Sequence, residues 1–160
     1  MDEAARAPRH VHLRHTIHVR GDPDAVLRLL TPEGERLWVP GWAPEYLDAP
    51  DVDAAPDLAE GVVFRTRHGG ETTLWCVAEV DPAARRYAYH RYTPGSRAGV
   101  VTVACSGPAG GPTRVDVSYE MTGLSEAGDA ILAAMSDGFT AEIDGWVEAL
   151  EATLETGAAN

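Results

Sequence analysis

The amino-acid sequence predicts an α+β domain, in which a curved antiparallel sheet of six or seven strands packs against one long C-terminal helix. Three observations lead to this prediction. Strand-like segments separated by turn sequences occupy roughly the middle hundred residues. Two short helix signals follow the first strand, and the last segment carries apolar residues at steps of three and four. At 160 residues, 44% apolar and 24% charged, the chain is long enough for one domain with a buried core.

The N-terminal part predicts one strand and two short helices. Residues 10–20 alternate between apolar and polar side chains, which is typical of a half-buried strand. Asp22 and Thr31 are each followed by proline, and this pairing of an N-cap residue with a first-turn proline indicates a helix start. We therefore predict a short helix pair near residues 23–38, the second helix covering residues 33–38.

The middle of the chain predicts an antiparallel meander. Turn sequences HGGE, DPAA, TPGS and GPAGG separate strand-like segments about a dozen residues apart. The predicted strands cover residues 62–67, 72–80, 86–92, 97–106 and 113–122. A weak strand near residues 45–47 and an acidic surface loop at 48–60 precede them.

Residues 125–156 predict one amphipathic helix with Ser125 as its N-cap. Its apolar face carries Ile131, Leu132, Met135, Phe139, Ile143, Trp146, Val147, Leu150 and Leu154. The interior Gly138 and Gly145 should each cost up to ~1 kcal/mol relative to alanine. Either these glycines let the helix pack closely on the sheet, or they clear volume above a cavity or permit a bend.

The composition of the chain limits which binding partners and which cellular location we expect. A formal net charge of −12 and a pI of about 4.8 disfavour binding to nucleic acid and to anionic membranes. No apolar run approaches the ~18–20 residues of a membrane span, and the N-terminal segment lacks the apolar core of a secretory signal. We therefore expect a cytoplasmic protein without membrane insertion. Cys76 and Cys105 are expected to be reduced thiols, since a disulfide would need their strands to be neighbours.

Four segments resemble the helix-grip fold of the START-like superfamily, often called SRPBCC. They are GDPDAVLRLLTPEGERLWVPGW, GVVFRTRHGGETTLWCVAEVDPAARRYAYHRYTPG, RVDVSYEMTGLSEAG and the final helix. The resemblance covers about residues 10–156 and implies a single domain at 9–156, with flexible termini at 1–8 and 157–160. It also implies a cavity between sheet and helix. The iron-dependent relatives need a second, iron–sulfur domain, for which this chain has no cysteine cluster, so no cofactor is expected.

Candidate ligand-binding residues are polar or aromatic side chains in strands, in the aromatic segment LWVPGWAPEY and on the final helix. His15 interrupts an apolar strand face and is either a hydrogen-bonded core residue or a ligand-facing donor or general base. The aromatic segment is either a rigid corner or a pocket mouth, where Glu45 could act as an unspecified acid or base. The candidates are His15, Trp38, Trp42, Phe64, Trp75, Tyr87, Tyr89, Arg91, Tyr119, Met135 and Phe139.

No sequence signature identifies a reaction or a metal. His10, His12 and His18 share a strand face, but no acidic or third ligand is adjacent, so we predict no metal. GxSxG, HExxH and phosphate-loop motifs are absent from the sequence.

Three functions stay open. The first is binding of a small hydrophobic, lipid-like or aromatic ligand in an internal cavity. The second is a polyketide cyclase- or aromatase-like enzyme, which would use a cavity His or Glu as general acid or base. The third is a protein-interaction module, like the co-chaperones that the resemblance includes. A monomer or a homodimer is expected in each case.

Overall fold

The computed structural model describes residues 6–47 and 58–157. Its elements in chain order are β1 (His10–Val19), α1 (Pro23–Leu29), α2 (Pro32–Glu35), β2 (Glu45–Tyr46), β3 (Val63–His68), β4 (Glu71–Asp81), β5 (Arg86–Thr93), β6 (Arg97–Ser106), β7 (Thr113–Gly123) and α3 (Glu126–Glu155). In this part of the chain the strands form one 7-stranded sheet in the order β1-β7-β6-β5-β4-β3-β2. The predicted α+β fold with a long C-terminal helix and an early helix pair is confirmed.

The sheet is antiparallel throughout, and consecutive strands from β2 to β7 are neighbours. The N-terminal strand closes the other side, because β1 pairs with β7 along its whole length, from His10 opposite Thr122 to Val19 opposite Thr113. The register of β4 on β5 shifts between Val77 and Glu79, and such an irregularity bends a sheet. The bent sheet presents a concave face to α3.

The concave face and α3 share the main hydrophobic core. Helix α3 contributes Phe139, Ile143 and Leu150 of its predicted apolar face to this core, and it buries Leu132 in a smaller cluster with Val11 and Met121. The helix begins after Ser125, whose hydroxyl accepts a hydrogen bond from the Gly128 amide at 3.0 Å. This arrangement satisfies one of the amides that a helix start leaves without a partner.

The second short helix is shorter than predicted, since α2 ends at Glu35 rather than at residue 38. The amides of Leu37 and Trp38 bond to carbonyls three residues earlier, at 3.1 and 3.2 Å, so the chain continues as a tighter turn. Pro40 disfavours helical geometry for the residue before it, which explains why the helix cannot continue. The turn places Trp38 beside the sheet.

The interior glycines of α3 do not pack on the sheet. Gly138 and Gly145 are exposed, and a Cβ added at either would meet nothing within 4 Å. The interpretation of close packing is therefore wrong for both positions, and neither glycine clears space above the core. Gly128 has that packing role instead, because a Cβ there would collide with the Ser96 carbonyl oxygen.

Several expectations concern parts of the chain that the structure does not describe. The acidic loop predicted for residues 48–60 and the flexible termini fall largely on residues 1–5, 48–57 and 158–160, which lie outside the described residues. Cys76 and Cys105 lie on β4 and β6 and are free thiols, with β5 between their strands.

Candidate functional site

A cavity of about 140 Å³ lies between the concave face of the sheet, the helix pair and the middle of α3. Its walls are aromatic and aliphatic, with two carboxylates among them. The lining residues are Leu30, Pro32, Glu35, Trp38, Val39, Trp42, Phe64, Trp75, Tyr89, Val101, Val103, Tyr119, Glu142 and Trp146. We call this space the aromatic compartment.

Six of the residues predicted from the sequence meet in this compartment. They are Trp38, Trp42, Phe64, Trp75, Tyr89 and Tyr119. Strand positions two residues apart face the same side of a sheet, so Val101 and Val103 on β6 join them. On these strands, the face that carries the lining residues is the one that points into the cavity.

The aromatic rings pack edge to face and stacked against one another. Trp42 lies 5.6 Å from Trp75 in an edge-on arrangement, and Phe64 stacks on Trp75 with the ring centroids 5.9 Å apart. Trp38 contacts Trp146 of α3 edge-on at 5.3 Å. Such geometries are favourable for aromatic pairs, and they connect the helix pair, the sheet and α3 around the cavity.

The polar atoms of four wall rings have partners within the protein. The bonds run from Trp38 Nε1 to Leu29 O (2.7 Å), from Trp42 Nε1 to Pro32 O (2.8 Å), from Trp75 Nε1 to Thr66 Oγ1 (3.0 Å) and from the Tyr89 hydroxyl to Leu30 O (3.2 Å). These hydrogen bonds fix the ring orientations. The rings can therefore offer apolar surface to a ligand without leaving a buried donor unpaired.

Glu35, the last residue of α2, places a carboxyl group in the apolar wall. Within the described residues, no hydrogen bond or ion pair to this carboxyl is found. Burial raises the pKa of Glu35 to about 8, because the apolar surroundings disfavour the charged form. The group therefore carries its proton at neutral pH and can act as a hydrogen-bond donor.

The Tyr119 hydroxyl is a second polar group without a hydrogen-bond partner among the described residues. Burial raises the pKa of Tyr119 to about 12, although Arg91 acts in the opposite direction. The phenol is thus neutral under ordinary conditions. Its ring is held from behind by Phe139 of α3, at a centroid distance of 5.2 Å.

A second cavity of about 270 Å³ adjoins the first on the side of β3, β4 and β5. The two spaces share the lining residues Val39, Trp42, Trp75, Tyr119 and Glu142. The polar lining of the second space comprises Thr66, Arg67, His68, Glu71, Thr73, Arg91 and Arg97. We call it the arginine compartment.

Two arginines dominate the charge of this compartment. The guanidinium of Arg91 lies over the Trp75 ring, 4.9 Å from its centroid, and desolvation lowers the pKa of Arg91. Arg97 is 7% exposed and pairs with Glu71 at 3.2 Å. The Nε atoms of both arginines are buried without a hydrogen-bond partner.

Four predicted residues do not line either compartment. Nε2 of His15 lies 2.6 Å from an Asp144 carboxylate oxygen, at the boundary between the edge strand β1 and α3. Tyr87 is half-buried against the main core, and Met135 packs on a small separate cluster. Phe139 supports Tyr119 from behind the cavity wall.

Glu45, the possible acid or base of the aromatic segment, does not line either compartment. Glu45 on β2 pairs with Arg65 at 2.8 Å, and this hydrogen bond lowers the pKa of Glu45. The carboxylates that do line the cavity, Glu35 and Glu142, were not among the candidates from the sequence. A signal for Glu35 exists, because it stands three residues before Trp38 and four before Val39, the spacing of one helix face.

The described residues hold no group of three or more His, Cys, Asp or Glu side chains that could bind a metal ion. Across residues 6–47 and 58–157, no helix combines the length and the apolar character needed to cross a membrane.

The fold and the cavity define a helix-grip protein of the START-like superfamily. Within it, the chain belongs to the family described as "Polyketide cyclase / dehydrase and lipid transport", whose sequence model matches residues 10–155. The predicted resemblance is thereby confirmed. A comparison with curated proteins finds no match.

Solved structures share the fold at low sequence identity. An uncharacterised protein from Rhizobium leguminosarum is 22% identical with a TM-score of 0.64, covering 94% of this chain and 97% of that one. Norcoclaurine synthase from Thalictrum flavum, in complex with dopamine and hydroxybenzaldehyde, is 13% identical with a TM-score of 0.63, covering 93% and 88%. The Aha1 dimer from Colwellia psychrerythraea is 15% identical with a TM-score of 0.57, covering 88% and 96%.

Proposed function

We propose that this protein binds a small, flat hydrophobic or aromatic molecule in the aromatic compartment. The observation that carries the proposal is a cavity of about 140 Å³ in whose walls four rings have their N–H or O–H group already bonded within the protein. An apolar cavity of about 150 Å³ in an engineered lysozyme stays dry and binds benzene, so the compartment has room for about one aromatic ring. The adjoining space of about 270 Å³ shares part of the same wall, so a molecule with two ring systems has room to extend from the first space into the second.

Binding energy in such a site comes mainly from apolar area removed from water, at ~25 cal/mol per Å² before ordering costs. Because hydrogen bonds already fix four of the wall rings, these rings lose little side-chain entropy when a ligand enters. The norcoclaurine synthase structure, which shares the fold, is a complex with two small aromatic molecules. That similarity supports an aromatic ligand here, and the family description supports the lipid-like alternative.

Binding of the neutral dye N-phenyl-1-naphthylamine to the purified protein tests the proposal. Val101→Phe places a ring in the compartment and should weaken dye binding by about tenfold or more, since a filled cavity loses the contact area. Val100→Phe is the matched control, because Val100 is the preceding residue of β6 and does not line the cavity. Failure of the wild-type protein to bind the dye would reject the proposal, and equal binding by both variants would place the ligand elsewhere.

A second candidate function is catalysis of proton transfer, as in a cyclase- or aromatase-like enzyme. Glu35 favours it, because an unpaired carboxyl with a pKa near 8 in an apolar wall can give or take a proton near neutral pH. The probe 5-nitrobenzisoxazole tests this ability. A base removes its ring C–H proton, the N–O bond breaks, and 2-cyano-4-nitrophenolate forms.

The expected result is a ring-opening rate above that of buffer, rising with pH to a plateau above about 8 as Glu35 ionises. Glu35→Gln should lose most of the acceleration, whereas Glu148→Gln, an exposed position on α3, should keep it. A rate equal to that of buffer, or an unchanged rate in Glu35→Gln, would remove Glu35 as a base.

We further propose that residues 9–156 fold as one unit that acts in the cytoplasm as a monomer or homodimer. The single continuous sheet of the described residues and the free thiols of Cys76 and Cys105 support this proposal. The interaction-module alternative is less well supported, because a filled core would favour it and the space below α3 is open. Sedimentation analysis of the pure protein measures the oligomeric state directly.

A further inference from the structure

The arginine compartment is rich in positive charge, although the chain as a whole is strongly negative. The protein has 13 Lys and Arg against 25 Asp and Glu, a formal net charge of −12. Yet Arg67, Arg91 and Arg97 line this one concave space, together with only two carboxylates, Glu71 and Glu142. Solubility accounts for an acidic surface, but it does not account for arginines gathered in a cavity.

The charges of the compartment are unevenly paired. Glu71 is engaged with Arg97, Arg67 lies 4.0 Å from Glu45, and Glu142 is exposed at the rim. For Arg91 the described residues provide a ring contact with Trp75 and no ion pair. Glu71 and Glu142 act on Arg91 only from beyond ion-pair distance. A desolvated cation without a direct ion pair is costly, and an anion arriving from outside would offset that cost.

The arginines of this compartment also carry hydrogen-bond donors that have no partner. The Nε atoms of Arg91 and Arg97 are buried with no acceptor among the described residues, and the Arg97 side chain is more than nine-tenths buried. Buried donors in native proteins nearly always have partners. The Nε atoms are enclosed by protein, so a ligand would meet Arg91 through its Nη groups, for which the described residues also provide no hydrogen bond. An acceptor supplied by a ligand would therefore find these Nη donors free.

We propose, on the basis of the aromatic ligand proposed above, that this ligand is a carboxylic acid whose carboxylate binds Arg91 in the arginine compartment. Trp42, Trp75 and Tyr119 line both compartments, so one molecule can place its ring in the first and its acid group in the second. A carboxylate matches a guanidinium because its two oxygens accept hydrogen bonds from the planar fork of N–H groups. Arg97 supplies a second positive charge near the same anion.

Two ligands of the same shape separate charge recognition from ring binding. We would titrate 2-naphthylacetate and 2-naphthylacetamide into the protein at pH 7 by isothermal calorimetry. The wild type should bind the acid about tenfold or more tightly than the amide, since a charge-assisted pair forms only with the acid. Arg91→Met should abolish that preference, so that this variant binds the acid and the amide with about equal affinity.

The matched control is Arg86→Met, which removes an equal charge from the same strand. Arg86 is exposed and pairs with Glu79 at 3.2 Å, away from both compartments. This variant should keep the preference for the acid. An unchanged preference in Arg91→Met, or a loss of equal size in Arg86→Met, would overturn the assignment to Arg91.

The outcomes distinguish this inference from the proposed function. Equal affinity of the wild type for acid and amide would overturn the anion site and leave the aromatic cavity supported. If neither molecule binds, the proposed function fails and the inference fails with it. The wild-type comparison needs no variant, so the inference stays falsifiable even if Arg91→Met does not fold.

Discussion

The space beneath α3 is filled at one end of the helix and open in the middle. At the filled end, Val11, Met121 and Leu132 are buried against one another, and the flexible Met135 packs on them. In the middle, Glu142 and Trp146 face the aromatic compartment. The filled end lies on β1 and β7, whereas the open region is walled mostly by β3 to β6 and the helix pair, so the strands and the side chains both differ between the two places.

The comparison indicates how the open region avoids collapse. Aliphatic chains and methionine adapt their shape and fill gaps, whereas large rings held by hydrogen bonds cannot. Trp38 and Trp42 each bond a backbone carbonyl of the α1–α2 segment, at 2.7 and 2.8 Å. We infer that these bonds hold the walls apart and keep the cavity open.

The largest expected effect concerns the filled end. Leu132→Ala should destabilise the protein by about 2–5 kcal/mol, because a fully buried leucine leaves a void that its neighbours fill only partly. Denaturant unfolding measures this change, and N-phenyl-1-naphthylamine affinity should stay close to that of the wild type. A loss of dye binding in the folded variant would show that the filled end and the cavity are one energetic unit.

The next effect concerns Glu35, an ionisable residue that lines the open region. The pKa of Glu35 is about 8 in the folded protein against an ordinary 4.5, so the folded state holds the proton more tightly than the unfolded state. Stability from this group is complete below pH 4.5 and is lost as the pH rises towards 8. Glu35→Gln removes the ionisation and should stabilise the protein by about 4 kcal/mol at pH 8, since a pKa difference of one corresponds to about 1.4 kcal/mol.

Unfolding measured from pH 4 to pH 9 checks this expectation, with the exposed Glu148→Gln as control. The stability difference between Glu35→Gln and the wild type should grow between about pH 4.5 and pH 8 and then level off, whereas Glu148→Gln should follow the wild type. A difference that does not change with pH would mean that Glu35 ionises normally.

Much of the fold could be predicted from the sequence because its signals are local. Alternation, turn sequences and the apolar stripe of residues 125–156 depend on neighbours in the chain, and the elements lie within a few residues of the predictions. The aromatic part of the cavity could be predicted for the same reason, since Trp38 and Trp42 lie close together in one sequence segment. The large rings on the strands had few other places to pack.

The polar part of the site depends on distant contacts, and the sequence predicts it less well. Glu35 shares its face of the chain with Trp38 and Val39, but the spacing alone does not say that this face lines a cavity. His15 does share the apolar face of β1, but that strand lies at the sheet edge, where Asp144 of α3 is within reach. Which polar residue faces a cavity is decided by the packing of remote elements.

A smaller effect tests whether hydrogen-bonded rings keep the cavity open. Trp38→Phe removes the bond to the Leu29 carbonyl and should cost about 1–2 kcal/mol, since a partly buried acceptor loses its donor. The affinity for N-phenyl-1-naphthylamine should fall as well, because the remaining ring is free to move into the compartment. Unchanged affinity in a destabilised variant would show that the Trp38 bond contributes to folding and not to the shape of the site.

The smallest expected effect concerns the solvent-exposed side of α3, which faces neither the filled end nor the open region. Gly138→Ala should stabilise the protein by up to ~1 kcal/mol, because alanine loses less backbone entropy in a helix and the added Cβ meets nothing within 4 Å. Gly128→Ala is the opposite case, since its Cβ would collide with the Ser96 carbonyl oxygen, and it should destabilise the protein. Thermal unfolding of both variants compares them, with dye binding unchanged in Gly138→Ala. A loss of stability in Gly138→Ala would mean that the exposed face of α3 contacts something other than water.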